Sequence, residues 1–367
     1  MTELLVPTKK GLFALQGEAG EDFAITARAF AGEPVEYAMR DPRTGRVLAA
    51  VTSPFYGPKI FYADGPSGEW EQAQGVALPE GGDQALERIW VIDRGEVDGL
   101  LYAGGDPGVL FESADGGASW ELNAGLWEEP TRRDWQPGGG GLCLHSISTW
   151  PGDPQRLAVA ISAAGVWLSE DGGTTWRQGG NGLDPRYVPA ESLPAEIAEM
   201  QEQQKNLPVI PRCVHHMERS PARPERMFIQ FHGGVYRSDD AGAHWTEIGR
   251  GLPSDFGFPL AVDPTDPDSA FVIPLVADMD RVTPEGRLRV YETRDAGETW
   301  QARGDGLPQD NAYLTVLRQA FDHVGQGEQL ELYFGTTTGE VFGSADAGAT
   351  WATLASHLPP IYSVVAS

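Results

Sequence analysis

The chain has 367 residues, and its 53 Asp and Glu against 27 Lys and Arg give a formal charge of −26. Nucleic acid and anionic membranes are excluded as partners, because both need a basic surface and the four lysines (Lys9, Lys10, Lys59, Lys205) form no cluster. With 41% hydrophobic and 22% charged residues the chain can bury a large core, and no apolar run approaches the ~20 residues of a membrane helix.

The N-terminal stretch MTELLVPTKKGLFALQ lacks the basic start, apolar run and small-residue cleavage site of a signal peptide, so a cytoplasmic location is expected. Cys143 and Cys213, the two cysteines, fit reduced thiols and are too few for a disulfide framework. The 46 Gly, 28 Pro and 11 Trp point to many short strands joined by tight turns, the composition of an internal repeat.

Strands are predicted at Leu4 to Thr8, Gly11 to Gln16 and Phe23 to Phe30, with Gln16-Gly-Glu-Ala-Gly-Glu-Asp-Phe23 as a degenerate turn between the second and third. A second degenerate turn runs from Ala63 to Trp70. Five full copies of S-x-D-x-G-x-[ST]-W follow, starting at Ser113, Ser169, Ser238, Thr293 and Ser344; Thr replaces the leading Ser once, and His244 once takes the Ser or Thr place. The pattern suits a hairpin: Asp accepts hydrogen bonds from its own turn, Gly takes positive φ, and Trp packs back at the head of the next strand. Upstream of each full copy lie two apolar runs, as in Met227 to Phe231 and Gly234 to Arg237. Earlier still come a first strand and a turn such as Asp153-Pro154 or Ser220-Pro221. The unit is four strands, A to D, with the turn motif between C and D, at the roughly 40 to 50 residue spacing of propeller blades. The first unit lacks its inner strand, and Ile361 to Ser367 forms a strand after the seventh. Placing it in the first blade closes the ring, giving an all-β, seven-bladed propeller over residues 1–367.

The repeat resembles the Asp-box, or BNR repeat, of sialidases, xyloglucan-degrading glycosidases, sortilin-type receptors and a photosystem II assembly factor. The whole chain is most similar to bacterial cytosolic proteins described as sialidase-like or glycosyl-hydrolase-like. The resemblance implies a propeller and leaves function open, since that fold serves enzymes and scaffolds alike. A sialidase would show an Arg-Ile-Pro motif, an arginine triad for the substrate carboxylate and a Tyr/Glu nucleophile pair. The nearest tripeptide here is Arg88-Ile89-Trp90, so true sialidase activity is not expected.

B–C and D–A connections of a propeller open on one face, the mouth of the central channel. Insertions at Leu126 to Leu142, Gly182 to Pro211 and Asp278 to Gly286 all fall there. A helix is predicted at Ser192 to Lys205, with Ser192 as N-cap, inside a 181–211 insertion over the mouth. Aligning blades 4 and 5 on their A–B turns needs no gap, and superimposes Cys143-Leu-His145-Ser-Ile147 on Cys213-Val-His215-His-Met217. Strand alternation places Cys213, His215 and Met217 on one face and His216 and Glu218 on the other. His232, at a B–C turn, joins the group.

Thiolate, imidazole and thioether are soft ligands suited to Zn or Cu, so Cys143, His145, Cys213, His215 and His232 are candidate metal ligands. His216, Cys213 and Glu218 are candidate catalytic groups as base, nucleophile and carboxylate. Tyr56, Arg132, Arg133, Trp135, Asp255 and Arg281 lie on mouth loops and are candidate ligand-binding residues. The expected function is a hydrolase-like or metal-assisted enzyme acting on a small molecule. A noncatalytic scaffold for a protein partner, and a glycosidase without the sialidase motifs, are the alternatives.

Overall fold

The computed structural model describes residues 1–18, 20–82, 84–185 and 212–367. The predicted helix at Ser192 to Lys205 lies outside the described residues. Seven four-stranded antiparallel sheets are arranged as blades. The first contains β1 (Thr2–Thr8), β2 (Gly11–Gly17) and β3 (Ala24–Ala29). The others run from β4 (Val35–Arg40) to β7 (Glu71–Gln72), β8 (Arg88–Arg94) to β11 (Glu121–Leu122), and β12 (Cys143–Trp150) to β15 (Arg177–Gln178). They continue from β16 (Val214–Arg219) to β19 (Thr246–Glu247), β20 (Phe256–Val262) to β23 (Gln301–Arg303), and β24 (Phe321–Val324) to β27 (Ala352–Ala355). The last strand, β28 (Val365–Ala366), pairs with β1 through Leu4↔Ala366 and Leu5↔Val365 and completes the first blade, as the count of strands requires. Glu3 and Ser367 exchange backbone hydrogen bonds of 2.9 Å in each direction, which seals this seam. Among the described residues no helix is long and apolar enough to cross a membrane.

The turn motif forms because its side chains replace the backbone bonds a tight turn cannot make. Ser113 Oγ accepts from Gly117 N (2.9 Å) and donates to Asp115 Oδ1 (2.8 Å); Asp115 in turn accepts from Ser119 N (2.9 Å) and Ser119 Oγ (2.6 Å). The same bonds recur around Asp171, Asp240, Asp295 and Asp346, with His244 Nδ1 replacing the hydroxyl at 2.7 Å from Asp240. Gly117 has φ +90°, and a Cβ there would come within 2.2 Å of Leu48 on the neighbouring blade, so glycine also lets the turn approach that blade. Trp120, buried, donates Nε1 to Gly117 O at 3.0 Å and packs with Leu48, Leu101 and Phe111 across the blade interface. Apolar contact is thus concentrated between neighbouring sheets.

The five motif carboxyls are held below the ordinary Asp value by these hydrogen bonds, in Asp115, Asp240 and Asp346 against an opposing effect of burial. A carboxyl whose folded value is depressed stabilises the protein above its unfolded pKa near 3.8, and that contribution is lost as pH falls through the folded value. Asp346→Ala is therefore expected to cost about 1 kcal/mol at pH 7, since the site is exposed, with the gap from wild type narrowing as pH falls below the ordinary carboxyl value. Chemical denaturation at pH 7, 4 and 3 measures both.

Candidate functional site

The inner strands do not enter the channel as regular ladders. Register shifts occur between Val35 and Tyr37, Ile89 and Val91, Leu144 and Ser146, Val214 and His216, and Gly257 and Leu260. The residues left without a ladder partner are Glu36, Trp90, His145, His215 and the Phe258-Pro259 pair, at the same height on five blades. A bulge re-aims its side chain, and four of these five positions (Glu36, Trp90, His215, Phe258) line one cavity of about 430 Å³ at the mouth. The bulge also corrects the alternation expected from sequence: Met217 packs with Val214 in the core between blades 4 and 5, while Cys213 and His215 face the cavity.

One wall is an alternating series of guanidinium and aromatic groups. Arg281 lies over Phe258 (5.2 Å), Phe258 meets Arg318 (5.1 Å), Arg318 lies over Trp90 (5.0 Å), and Trp90 meets Arg88 (4.7 Å). Arg88 stands 3.5 Å from Glu36. Among the described residues neither Arg281 nor Arg318 has a carboxylate within ion-pair distance; each donates Nε to a backbone carbonyl, Asp278 O at 2.8 Å and His215 O at 3.1 Å. Gln319 reaches across the channel to His145 O at 2.7 Å, so the segment before β24 is tied to both histidine bulges.

Adjoining this series, the cavity is lined by Cys213, His215 and His232, whose ligand atoms all lie within 4.8 Å of one another. His215 Nδ1 is 2.6 Å from Gly257 O, and its ring packs against Phe256 and Phe258. Burial lowers the pKa of His215, with Arg318 adding to the effect, and burial also lowers that of His232, so both are neutral near pH 7. Burial raises the Cys213 thiol, opposed by Arg318 and Ser162. His232 Nε2 is 3.8 Å from Asp278.

The repeated Cys-x-His pair therefore splits into two roles. Cys213 and His215 line the cavity, while their counterparts in blade 4 face inward contacts. His145 Nε2 is 2.8 Å from Val214 O and 3.2 Å from Ser162 Oγ, and its Nδ1 is 3.0 Å from Ser146 Oγ, so both ring nitrogens are engaged. Cys143 donates to Gly140 O at 3.0 Å, and burial pushes its thiol up to about 12. Of the other sequence candidates, Arg281 lines the cavity. Arg132 packs over Trp127 and Trp135 and donates to Pro107 O and Gly108 O; Trp135 is 5% exposed in the core beside Trp167. Arg133, Tyr56 and Asp255 are exposed and stand outside the lining, Tyr56 at the tip of a B–C turn. His216 and Glu218 pair with each other at 2.7 Å, also outside it. Among the lining residues that sequence reasoning missed are Arg88, Trp90, Phe258, Arg318, Glu36 and Tyr362.

Below the cavity Asp93 is pushed up to about 7 by burial, with the Arg94 amide opposing and Glu218 adding to the rise. The folded protein keeps a proton there that the unfolded chain has released, so between about pH 4 and 7 stability falls as pH rises. Asp93→Asn removes this loss: it is expected to melt above wild type at pH 8, with the difference vanishing toward pH 4, as calorimetry at the two pH values checks.

No protein-family model matches the sequence, and no curated protein matches it. Solved structures match over most of the chain. The periplasmic gluconolactonase PpgL of Pseudomonas aeruginosa aligns at TM-score 0.57 and 12% identity, covering 100% of this chain and 98% of that one. An ancestral GH74 enzyme aligns at TM-score 0.56 and 15% identity over 93% of this chain, which spans 37% of that enzyme. YCF48 bound to the D1 peptide aligns at TM-score 0.52 and 11% identity, covering 96% and 85%. At these identities the likeness establishes the seven-bladed propeller, shared by hydrolases and by a peptide-binding protein, and stops there.

Proposed function

We propose that the protein is a hydrolase-like enzyme that takes a small organic acid into the channel mouth. The observation that carries this reading is the wall of Arg88, Arg281 and Arg318, two of which have no carboxylate counter-ion among the described residues. A guanidinium stacked on aromatic rings and partly desolvated retains charge that a carboxylate or similar oxyanion neutralises, with a planar fork matched to two oxygens.

Among the bond-breaking groups, Tyr362 and Glu36 rank ahead of Cys213. Burial raises the Tyr362 phenol, the Glu36 charge raises it further, and Arg88 opposes, so the three side chains share one corner of the cavity. Burial raises the Cys213 thiol as well, so either nucleophile needs a base near neutral pH, and the Glu36 carboxyl, itself raised by burial, is placed to serve Tyr362. Arginines for a carboxylate beside a Tyr/Glu pair are what a sialidase-like hydrolysis requires. This supports glycosides of acidic sugars as the first substrate class, for a glycosidase apart from the true sialidases, since Trp90 stands in place of their motif proline. A protein partner on the same face is the second reading, supported by the exposed Phe55, Tyr56, Met279 and Tyr313 on mouth loops.

Fluorogenic glycosides of carboxylate-bearing sugars test the enzymatic reading. Tyr362→Phe is expected to lower kcat by at least about 100-fold, and Arg318→Met to raise KM, while Phe55→Ser leaves both unchanged. Sugar acids and small mono- and dicarboxylates should raise the melting temperature of wild type and not of Arg318→Met. A full panel with no thermal shift and no turnover sinks the proposal and favours the partner-docking reading.

A further inference from the structure

We propose that Cys213, His215 and His232 form a binding site for a thiophilic transition-metal ion, Zn(II) foremost, in the lining of the mouth cavity. This goes beyond the organic-acid reading and does not depend on it. The three ligand atoms fall within 4.8 Å of one another. Zinc bonds of about 2.3 Å to sulfur and about 2.0 Å to nitrogen set tetrahedral ligand atoms roughly 3.3 to 3.6 Å apart, so the set closes by about an ångström through side-chain rotation.

The surroundings are those of a ligand set. With Nδ1–H donated to Gly257 O at 2.6 Å, the His215 lone pair is on Nε2; a backbone carbonyl on the far nitrogen is the usual second partner of a metal-binding histidine. Phe256 packs edge-on against both imidazoles, with ring centroids 5.1 Å away, and restricts their rotation. Asp278, 3.8 Å from His232 Nε2, offers a carboxylate to the imidazole or to a fourth position. Arg281 and Arg318 repel a dication, whereas Asp278 carries a negative charge on the same side and Cys213 supplies a second when the metal displaces its thiol proton. The balance sets the affinity below that of a closed four-ligand site. Three protein ligands with one side open to a cavity is the arrangement of catalytic rather than structural zinc. Cys143 and His145 are excluded from the set because a backbone carbonyl, two hydroxyls and Gly140 O already occupy them.

The test is a titration of the reduced, chelator-stripped full-length protein with Co(II), read by thiolate-to-cobalt charge-transfer absorption and followed by displacement with Zn(II). One equivalent is expected to bind and to be displaced. The band should be absent in Cys213→Ser, at least about tenfold weaker in affinity in His232→Gln, and unchanged in Cys143→Ser. No band in wild type, or a band that survives in Cys213→Ser, overturns the proposal. If Cys213→Ser does not fold, His232→Gln at a half-buried position decides: unchanged cobalt affinity there overturns it equally. Since no organic acid is present, failure of this experiment is distinct from failure of the anion-binding one.

Discussion

The site exists because inner strands lose their register at the channel mouth. A four-stranded blade with perfect alternation would point every second inner residue at the axis and the rest into the interface with the next blade. Skipping a residue at Glu36, Trp90, His145, His215 and Phe258 breaks that alternation at one height. Large or polar side chains can then stand at the mouth without displacing the apolar residues beneath them. Val214 and Met217 flank such a shift and both remain in the blade interface.

Neighbouring inner strands are held together by side-chain hydroxyls and, across the axis, by the carbonyls of the two histidine bulges. Ser146 Oγ accepts from Met217 N at 3.1 Å, and Ser148 Oγ accepts from Arg219 Nε at 2.9 Å, so small hydroxyls link blades 4 and 5 along the channel. Arg318 and Gln319 extend the network across the axis to the carbonyls of His215 and His145. The arginine wall and the Cys213, His215 and His232 cluster are therefore parts of one bonded arrangement, in which moving the segment before β24 disturbs both.

The fold was legible because each motif residue is chemically required: a hydroxyl for Gly117 N, a carboxylate for Ser119 N, glycine where Leu48 presses in. The site was legible in part. The gap-free match of Cys143-Leu-His145 to Cys213-Val-His215 located the right strand ends, yet residue type alone did not separate the copy with both nitrogens engaged from the copy facing the cavity. Extending the same alignment to Pro34-Val-Glu36, Arg88-Ile-Trp90 and Phe256-Gly-Phe258 would have found Glu36, Trp90 and Phe258. Arg318 has no such counterpart; it precedes its strand, and nothing local distinguishes an inward guanidinium from a solvated one. Arg132 and Trp135 show the opposite error, since their place on a mouth loop suggested ligand contact where the two side chains pack on each other.

Tyr362 belongs to the segment that completes the first blade. Its amide donates to Pro7 O at 2.9 Å, three residues before β28 enters the sheet with β1. The cavity therefore acquires this side chain only when the first and seventh blades have met. A ring sprung at that seam could keep six intact sheets, nearly all its secondary structure and the histidine cluster, yet lack the corner shared by Tyr362, Glu36 and Arg88. A complete mouth is thus a property of the closed circle rather than of any blade, and the proposed activity would report on closure where spectroscopy of the strands would not.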